Sequence, residues 1–270
     1  MEADQIKPPS RPRLVRGKLQ GKMFLIPSLI TVLSNFCGFL AIISAVTGHF
    51  EYAVKAIAVA FVLDGLDGRV ARRLNATSEF GREFDSLSDV VAFGVAPAVL
   101  VYMWGFQNIA DEFGLVVSFS LVACGATRLA RFNIDTAHRR HFVGLPIPAA
   151  AGAICSIIYM MPEQLGTAGV VYLMLLYTAV VAGLMVSTLP FFSVKHLKFT
   201  DGNPRLNIAV LAAAVALVWY QHKIVLLIIL NGYAMSGLFF YFGAKVAPSA
   251  FSRFEPMFGL IQDDDEVAEA

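Results

Sequence analysis

Charge is scarce in this sequence. Lys, Arg, Asp and Glu supply 15% of its 270 residues, while apolar types supply 57%. Soluble globular domains carry about 25% charged residues, so the balance excludes an ordinary soluble domain and points to a chain embedded in a membrane. The net charge is only +1, which excludes the broad basic field that nucleic acid requires. Cysteine is rare as well. Cys37, Cys124 and Cys155 are odd in number and sit in apolar stretches, so no disulfide framework is expected and all three read as small core fillers. The chain shows no repeat of fixed period and no soluble domain. No cleavable leader is expected, because the first 22 residues are polar and basic and the apolar run behind them is too long for a signal sequence.

Long apolar runs, by contrast, are abundant. A bilayer core takes about 20 apolar residues per helix, and the runs fit eight spans at roughly 24–47, 52–73, 79–105, 113–133, 145–162, 167–190, 205–221 and 223–243. The fold expected is an all-α polytopic membrane protein of about eight transmembrane helices. A basic juxtamembrane segment occupies 1–22, the membrane domain 23–245 and a cytoplasmic C-terminal tail 246–270. The narrowest join, Gln221-His222-Lys223, separates the last two spans. Segment 1–22 reads either as an interfacial helix that touches anionic lipid or as an ordinary basic flank. The acidic run Gln262–Glu266 reads as a solvated tail.

Basic residues set the direction. Arg11 to Lys22 precede span one, and Arg69, Arg72, Arg73 and Arg82 surround the turn between spans two and three. Arg128, Arg131, Arg139 and Arg140 follow span four; Lys195, Lys198 and Arg205 lie between spans six and seven; Lys245 and Arg253 follow span eight. The opposite loops hold Asp111, Glu112 and Glu163, with Lys55 and Lys223 as basic exceptions. The positive-inside rule then places both termini in the cytoplasm, in the inner membrane if the cell is bacterial.

The cytoplasmic ends of spans two and three carry four acids. Asp64 and Asp67 are three apart and Asp85 and Asp89 four apart, so each pair shares one helix face. The short link from Arg73 to Phe80 makes the two helices antiparallel neighbours, and the four carboxylates converge on one groove. Oxygen-only ligands select hard cations such as Mg²⁺, Mn²⁺ or Ca²⁺. Two divalent ions would balance four carboxylates, and such a pair can grip a pyrophosphate and stabilise displacement at phosphorus. The bland alternative is a set of cap charges paired with Arg69, Arg72, Arg73 and Arg82. Gly68 and Gly81 let a ligand approach the backbone, Ala71 keeps the groove open, and Arg72 lies on the side of Asp64 and Gly68 to meet a phosphate. Thr77 and Ser78 serve either as an N-cap or as hydroxyls to a nucleotide.

The pattern Asp64-x-x-Asp67-Gly68-x-x-Ala71-Arg72-x8-Gly81-x3-Asp85-x3-Asp89 resembles, at every fixed position, the signature of the CDP-alcohol phosphatidyltransferase family. That resemblance implies transfer of a phosphatidyl group from CDP-diacylglycerol to an alcohol with release of CMP. It also implies two divalent ions, Mg²⁺ or Mn²⁺, on Asp64, Asp67, Asp85 and Asp89, with Asp89 as general base. It implies a six-helix core, here with two further C-terminal helices, and a homodimer.

The stretches Ile26–Ala41, Phe80–Pro97, Arg128–Asn133 and Gly144–Ala149 are similar to one branch, the membrane-embedded phosphatidylserine synthases, whose acceptor is serine. Ser28 departs from that pattern, which often has Asn after the proline. Thr31 and Asn35, one turn apart on span one, either line the phosphate site or form interhelical hydrogen bonds. Arg128 and Arg131 either hold the serine carboxylate or are flanking charges. Pro146 and Pro148 open span five and shape the pocket floor, while His138 and His141 read as solvated. Two rivals remain: another acceptor, namely glycerol 3-phosphate, inositol phosphate or choline, and a divalent-cation transporter. A transporter predicts acids near the midplane on several helix pairs, whereas these four lie at one end.

Overall fold

The computed structural model describes residues 25–74, 78–134, 144–189, 191 and 204–246. Segment 1–22, Thr77, His138 to His141, Lys195, Lys198 and the acidic tail lie outside them. Helix α1 (Leu25–Val46) turns through Thr47–His49 into antiparallel α2 (Phe50–Arg73). Helix α3 (Glu79–Asp89) passes without a break into a π-helical turn (Val90–Val95), α4 (Ala96–Val101) and a second π-helical turn (Tyr102–Phe106). Then follow α5 (Asp111–Ile134), α6 (Ile147–Met160), α7 (Ala168–Val186) and α8 (Pro204–Val246). Among the described residues there is no strand.

Among the described residues, five helices are long and apolar enough to cross a membrane: Pro27–Val46, Glu79–Phe106, Asp111–Ile134, Ala168–Val186 and Tyr220–Gly243. The helical run Phe50–Arg73 differs because Glu51, Lys55, Asp64 and Asp67 load it with charge. The expected fifth span, 145–162, is a shorter helix of 14 residues. At ~1.5 Å per residue it rises only about 21 Å, below the ~30 Å of a hydrocarbon core. Its start is fixed by Gly144, whose φ of 80° is left-handed. A Cβ there would come 2.5 Å from the Met185 carbonyl oxygen. The Gly144 and Leu145 amides donate to Leu189 and Leu184, which ties the start of α6 to the end of α7. Helix α8 is broken at Gln221 (φ −125°, ψ 43°), where the sequence puts the join between spans seven and eight.

The core is apolar and continuous, with Leu100, Trp104, Phe106, Ile147, Ile154, Ile158 and Val181 fully buried. Large apolar side chains also cover the outside, among them Leu29, Phe36, Leu115, Phe119, Leu173 and Leu176. In water such a surface is a liability; against lipid it is the expected boundary. At the centre of the bundle α1 meets the first π-helical turn closely. A Cβ on Gly38 would lie 2.8 Å from the Ala92 Cα, so only glycine permits that approach. The π-helical turn begins one residue after Asp89, and such turns are frequent at functional sites.

Candidate active site

The site is assembled where the start of α1, the end of α2 and the start of α3 meet. Thr31 is the joint between them. Its Oγ1 donates to Asp67 Oδ2 at 2.8 Å and lies 3.1 Å from the Pro27 carbonyl oxygen, while the Ser88 hydroxyl donates to the Thr31 carbonyl at 3.4 Å. One turn on, Ser34 donates to the Ala60 carbonyl at 3.0 Å. Thr31 and Asp67 are 5% and 4% exposed, so the bond between them is shielded from water.

The carboxylates cluster. Oxygens of Asp64, Asp67 and Asp85 all lie within 4.8 Å of one another. Asp89 lies outside that group of three by mutual distance, with Asp64, Asp85 and Asp67 as its electrostatic neighbours. Among the described residues, none of these aspartates forms an ion pair with Arg69, Arg72, Arg73 or Arg82, and Arg82 instead meets Glu83 at 3.6 Å. Two unit charges ~4 Å apart repel by about 4 kcal/mol at an effective dielectric of ~20, so the group calls for positive charge. Asp85 Oδ1 in the group and Asp89 Oδ1 beside it are buried and accept no hydrogen bond from the described residues. Oxygen donors, buried free lone pairs and a shared centre of negative charge fit a hard divalent cation.

A pocket of about 450 Å³ opens beside the carboxylates. Of the residues expected at a phosphate site, Thr31, Gly68, Ala71, Arg72, Ser78 and Gly81 line it together with Asp67 and Asp85; Asn35 does not. Ser78 is the N-cap of α3, its Oγ accepting from the Gly81 amide at 2.9 Å. Its hydroxyl proton is still available to a second partner. A Cβ on Gly68 would meet only the Arg72 guanidinium, at 3.6 Å, so protein packing does not demand glycine there. Sequence reasoning did not place Pro27, Glu79 or Arg82 in this wall. Arg82 was within reach, since it follows Gly81 directly; Pro27 comes in only through the approach of α1.

The two arginines of α5 part company. Arg128 is half-buried, its Nε is buried without a hydrogen-bond partner, and its electrostatic neighbours are Asp89 and Tyr233. Arg131 is exposed and donates from Nη1 to the Val186 carbonyl oxygen at 3.3 Å. Beyond them Asn133 donates from Nδ2 to Glu83 Oε2 at 3.2 Å and to Ser86 Oγ at 3.1 Å, which ties the end of α5 to the helix carrying Asp85 and Asp89.

Comparison with known proteins agrees with this geometry. Residues 24–189 match the family model of the CDP-alcohol phosphatidyltransferases. The CDP-diacylglycerol–serine O-phosphatidyltransferase of Helicobacter pylori is 41% identical over 192 residues, which is 70% of this chain and 79% of that protein. The enzyme of the same name from Bacillus subtilis is 38% identical over 157 residues, 56% of this chain and 87% of that one. The archaetidylserine synthase of Methanothermobacter thermautotrophicus is 40% identical over 136 residues, 48% of this chain and 56% of its own length. The matched region includes every helix that supplies the aspartate group and its pocket, and the chain belongs to the CDP-alcohol phosphatidyltransferase family.

Proposed function

We propose that the protein transfers the phosphatidyl group of CDP-diacylglycerol to L-serine, giving phosphatidylserine and CMP. The observation that carries this reading is the trio Asp64, Asp67 and Asp85 within 4.8 Å, at the edge of a pocket lined by Gly68, Arg72, Ser78 and Gly81. The names of the relatives support the donor and the acceptor. Asp64, Asp67, Asp85 and Asp89 would hold two divalent cations, Mg²⁺ or Mn²⁺. Bound there, the cations supply positive charge to the pyrophosphate and to the departing CMP.

The chain's own residues do the rest. Arg72 and the hydroxyl of Ser78 hold phosphate oxygens, and Gly68, Ala71 and Gly81 keep the backbone low enough for the nucleotide to approach. Thr31 orients Asp67. Arg128, with Arg131 nearer the surface, receives the serine carboxylate. Asp89 takes the proton from the serine hydroxyl, whose oxygen attacks the β-phosphorus as the bond to CMP breaks. The basic residues gathered at this end of the bundle, Arg69, Arg72, Arg73, Arg82, Arg128 and Arg131, support a site that faces the cytoplasm.

The test uses purified protein, labelled CDP-diacylglycerol and Mg²⁺ or Mn²⁺. Serine, glycerol 3-phosphate, inositol phosphate and choline are offered separately and CMP is measured. CMP release that depends on serine and is lost in Asp85→Asn and Asp89→Asn is the expected result. Release driven by a different alcohol would refute the acceptor, and full activity in either variant would refute the site.

A further inference from the structure

The last turn of α5 reaches across to the helix that carries Asp85 and Asp89, and one side chain makes the reach. We propose that Asn133 is a positioning residue for the transfer reaction: its amide locks the rotation of α3 about its own axis and so aims Asp85 and Asp89 at the aspartates of α2. The inference rests on the reading of the four aspartates as the cation site of the reaction. It gives a role to a residue that does not line the pocket.

Both contacts of the Asn133 amide land on α3. Nδ2 donates to Glu83 Oε2 at 3.2 Å and to Ser86 Oγ at 3.1 Å, so the two protons of one NH₂ group hold residues about one turn apart. The Ser86 hydroxyl gives its own proton to the Arg82 carbonyl at 3.1 Å, which leaves its oxygen as the acceptor for Asn133. An ionised Glu83 can only accept. The join is therefore directional, with α5 donating and α3 accepting.

At ~100° per residue, Asp85 and Asp89 share one face of α3, and Ser86 and Ser88 fall on opposite flanks of that face. A different helix holds each flank. Ser88 is buried and donates to the Thr31 carbonyl on α1 at 3.4 Å. Ser86, with Glu83 beyond it, accepts from Asn133 on α5. A bond on one flank lets a helix roll about it; bonds on both flanks leave one rotation. Carboxylate oxygens stand outside the ~2.3 Å radius of the Cα atoms, so a roll of ~20° moves them by more than ~0.8 Å. Cation–oxygen distances tolerate only ~0.2 Å. The second flank therefore decides whether the carboxylates of α3 meet those of α2.

The test exchanges donor for acceptor at nearly constant shape. Asn133→Asp sets a carboxylate against Glu83 and the Ser86 oxygen, and the double variant Asn133→Asp with Glu83→Gln restores a hydrogen bond in the reverse direction. Mn²⁺ binding to full-length protein in detergent, without substrate, is read from the paramagnetic resonance signal of free Mn²⁺. The thermal transition and CMP release are measured on the same samples. In Asn133→Asp the Mn²⁺ dissociation constant should rise about tenfold, the low end for loss of a partner that orients a cation site, and kcat should fall. The double variant should recover most of both. Asn133→Ala, which removes the donors without adding charge, should shift binding the same way by a smaller factor, and it carries the test if Asn133→Asp does not fold. A lower melting temperature with Mn²⁺ binding unchanged would make the contact merely structural and overturn the role of Asn133. A double variant no better than Asn133→Asp would overturn it as well. A wild type that binds no Mn²⁺, or one whose binding survives Asp85→Asn, overturns the cation site and this inference together.

Discussion

Replacing Thr31 with valine removes one hydroxyl and keeps the branched shape of the side chain. The hydroxyl donates to Asp67 Oδ2 at 2.8 Å between two residues that are 5% and 4% exposed. A hydrogen bond to a charged group contributes about 1.5–3 kcal/mol. At ~1.4 kcal/mol per factor of ten this corresponds to roughly 10- to 150-fold. Partners that orient metal ligands change metal affinity by a similar 10–100-fold when removed. The midpoint of activation by Mn²⁺ should therefore move to concentrations ten- to a hundredfold higher in Thr31→Val. Thr31→Ser, which keeps the hydroxyl, should move it far less. The assay is CMP release at saturating lipid and serine across a Mn²⁺ series. The Pro27 carbonyl, 3.1 Å from the same oxygen, competes for the single proton. If Thr31→Val titrates like the wild type, the proton belongs to Pro27 and the claim that Thr31 orients Asp67 is wrong.

Packing and hydrogen bonding between the helices set the expected stability of three single variants. Gly38→Ala would press a Cβ to within 2.8 Å of the Ala92 backbone; overpacking of this kind costs typically 1–3 kcal/mol, and the thermal transition in detergent should fall. Gly183 is exposed with nothing within 4 Å of an added Cβ, so Gly183→Ala should leave that transition unchanged or raise it slightly. Asn231→Leu removes the bonds to Ser156 and Tyr177; at about 0.6–1.7 kcal/mol each in a membrane protein, their loss should lower the melting temperature. Adding Tyr177→Phe to Asn231→Leu should then have little further effect, and additive losses would show that the two side chains act separately.

Much of the site was legible along the chain because its spacing is local. Asp64 with Asp67, and Asp85 with Asp89, share faces by helical periodicity alone, and Gly68, Ala71, Arg72, Ser78 and Gly81, close together in sequence, all line the pocket. Thr31 and Asn35 show where that reasoning stops. They are one turn apart on the same helix face, and only Thr31 reaches the pocket, because the pocket lies beside the first turns of α1 and Asn35 stands about 6 Å further along its axis. Span five is a similar case: its apolar run is long, but the anchoring of Gly144 and Leu145 to the end of α7 leaves a helix of 14 residues.

The amino-acid sequence by itself determined the membrane character, the helical fold, the pairing of the acids and the family motif. Each of these depends on composition or on neighbours within a turn or two. Tertiary structure alone decided that oxygens of Asp64, Asp67 and Asp85 meet within 4.8 Å, that Thr31 bonds Asp67, and that Arg128 is half-buried while Arg131 is exposed and donates to Val186. Those contacts link residues far apart in the chain. They are set by the tilt and rotation of packed helices, which glycine approaches such as Gly38 on Ala92 and Gly237 on Phe191 fix in space, and which no local spacing encodes.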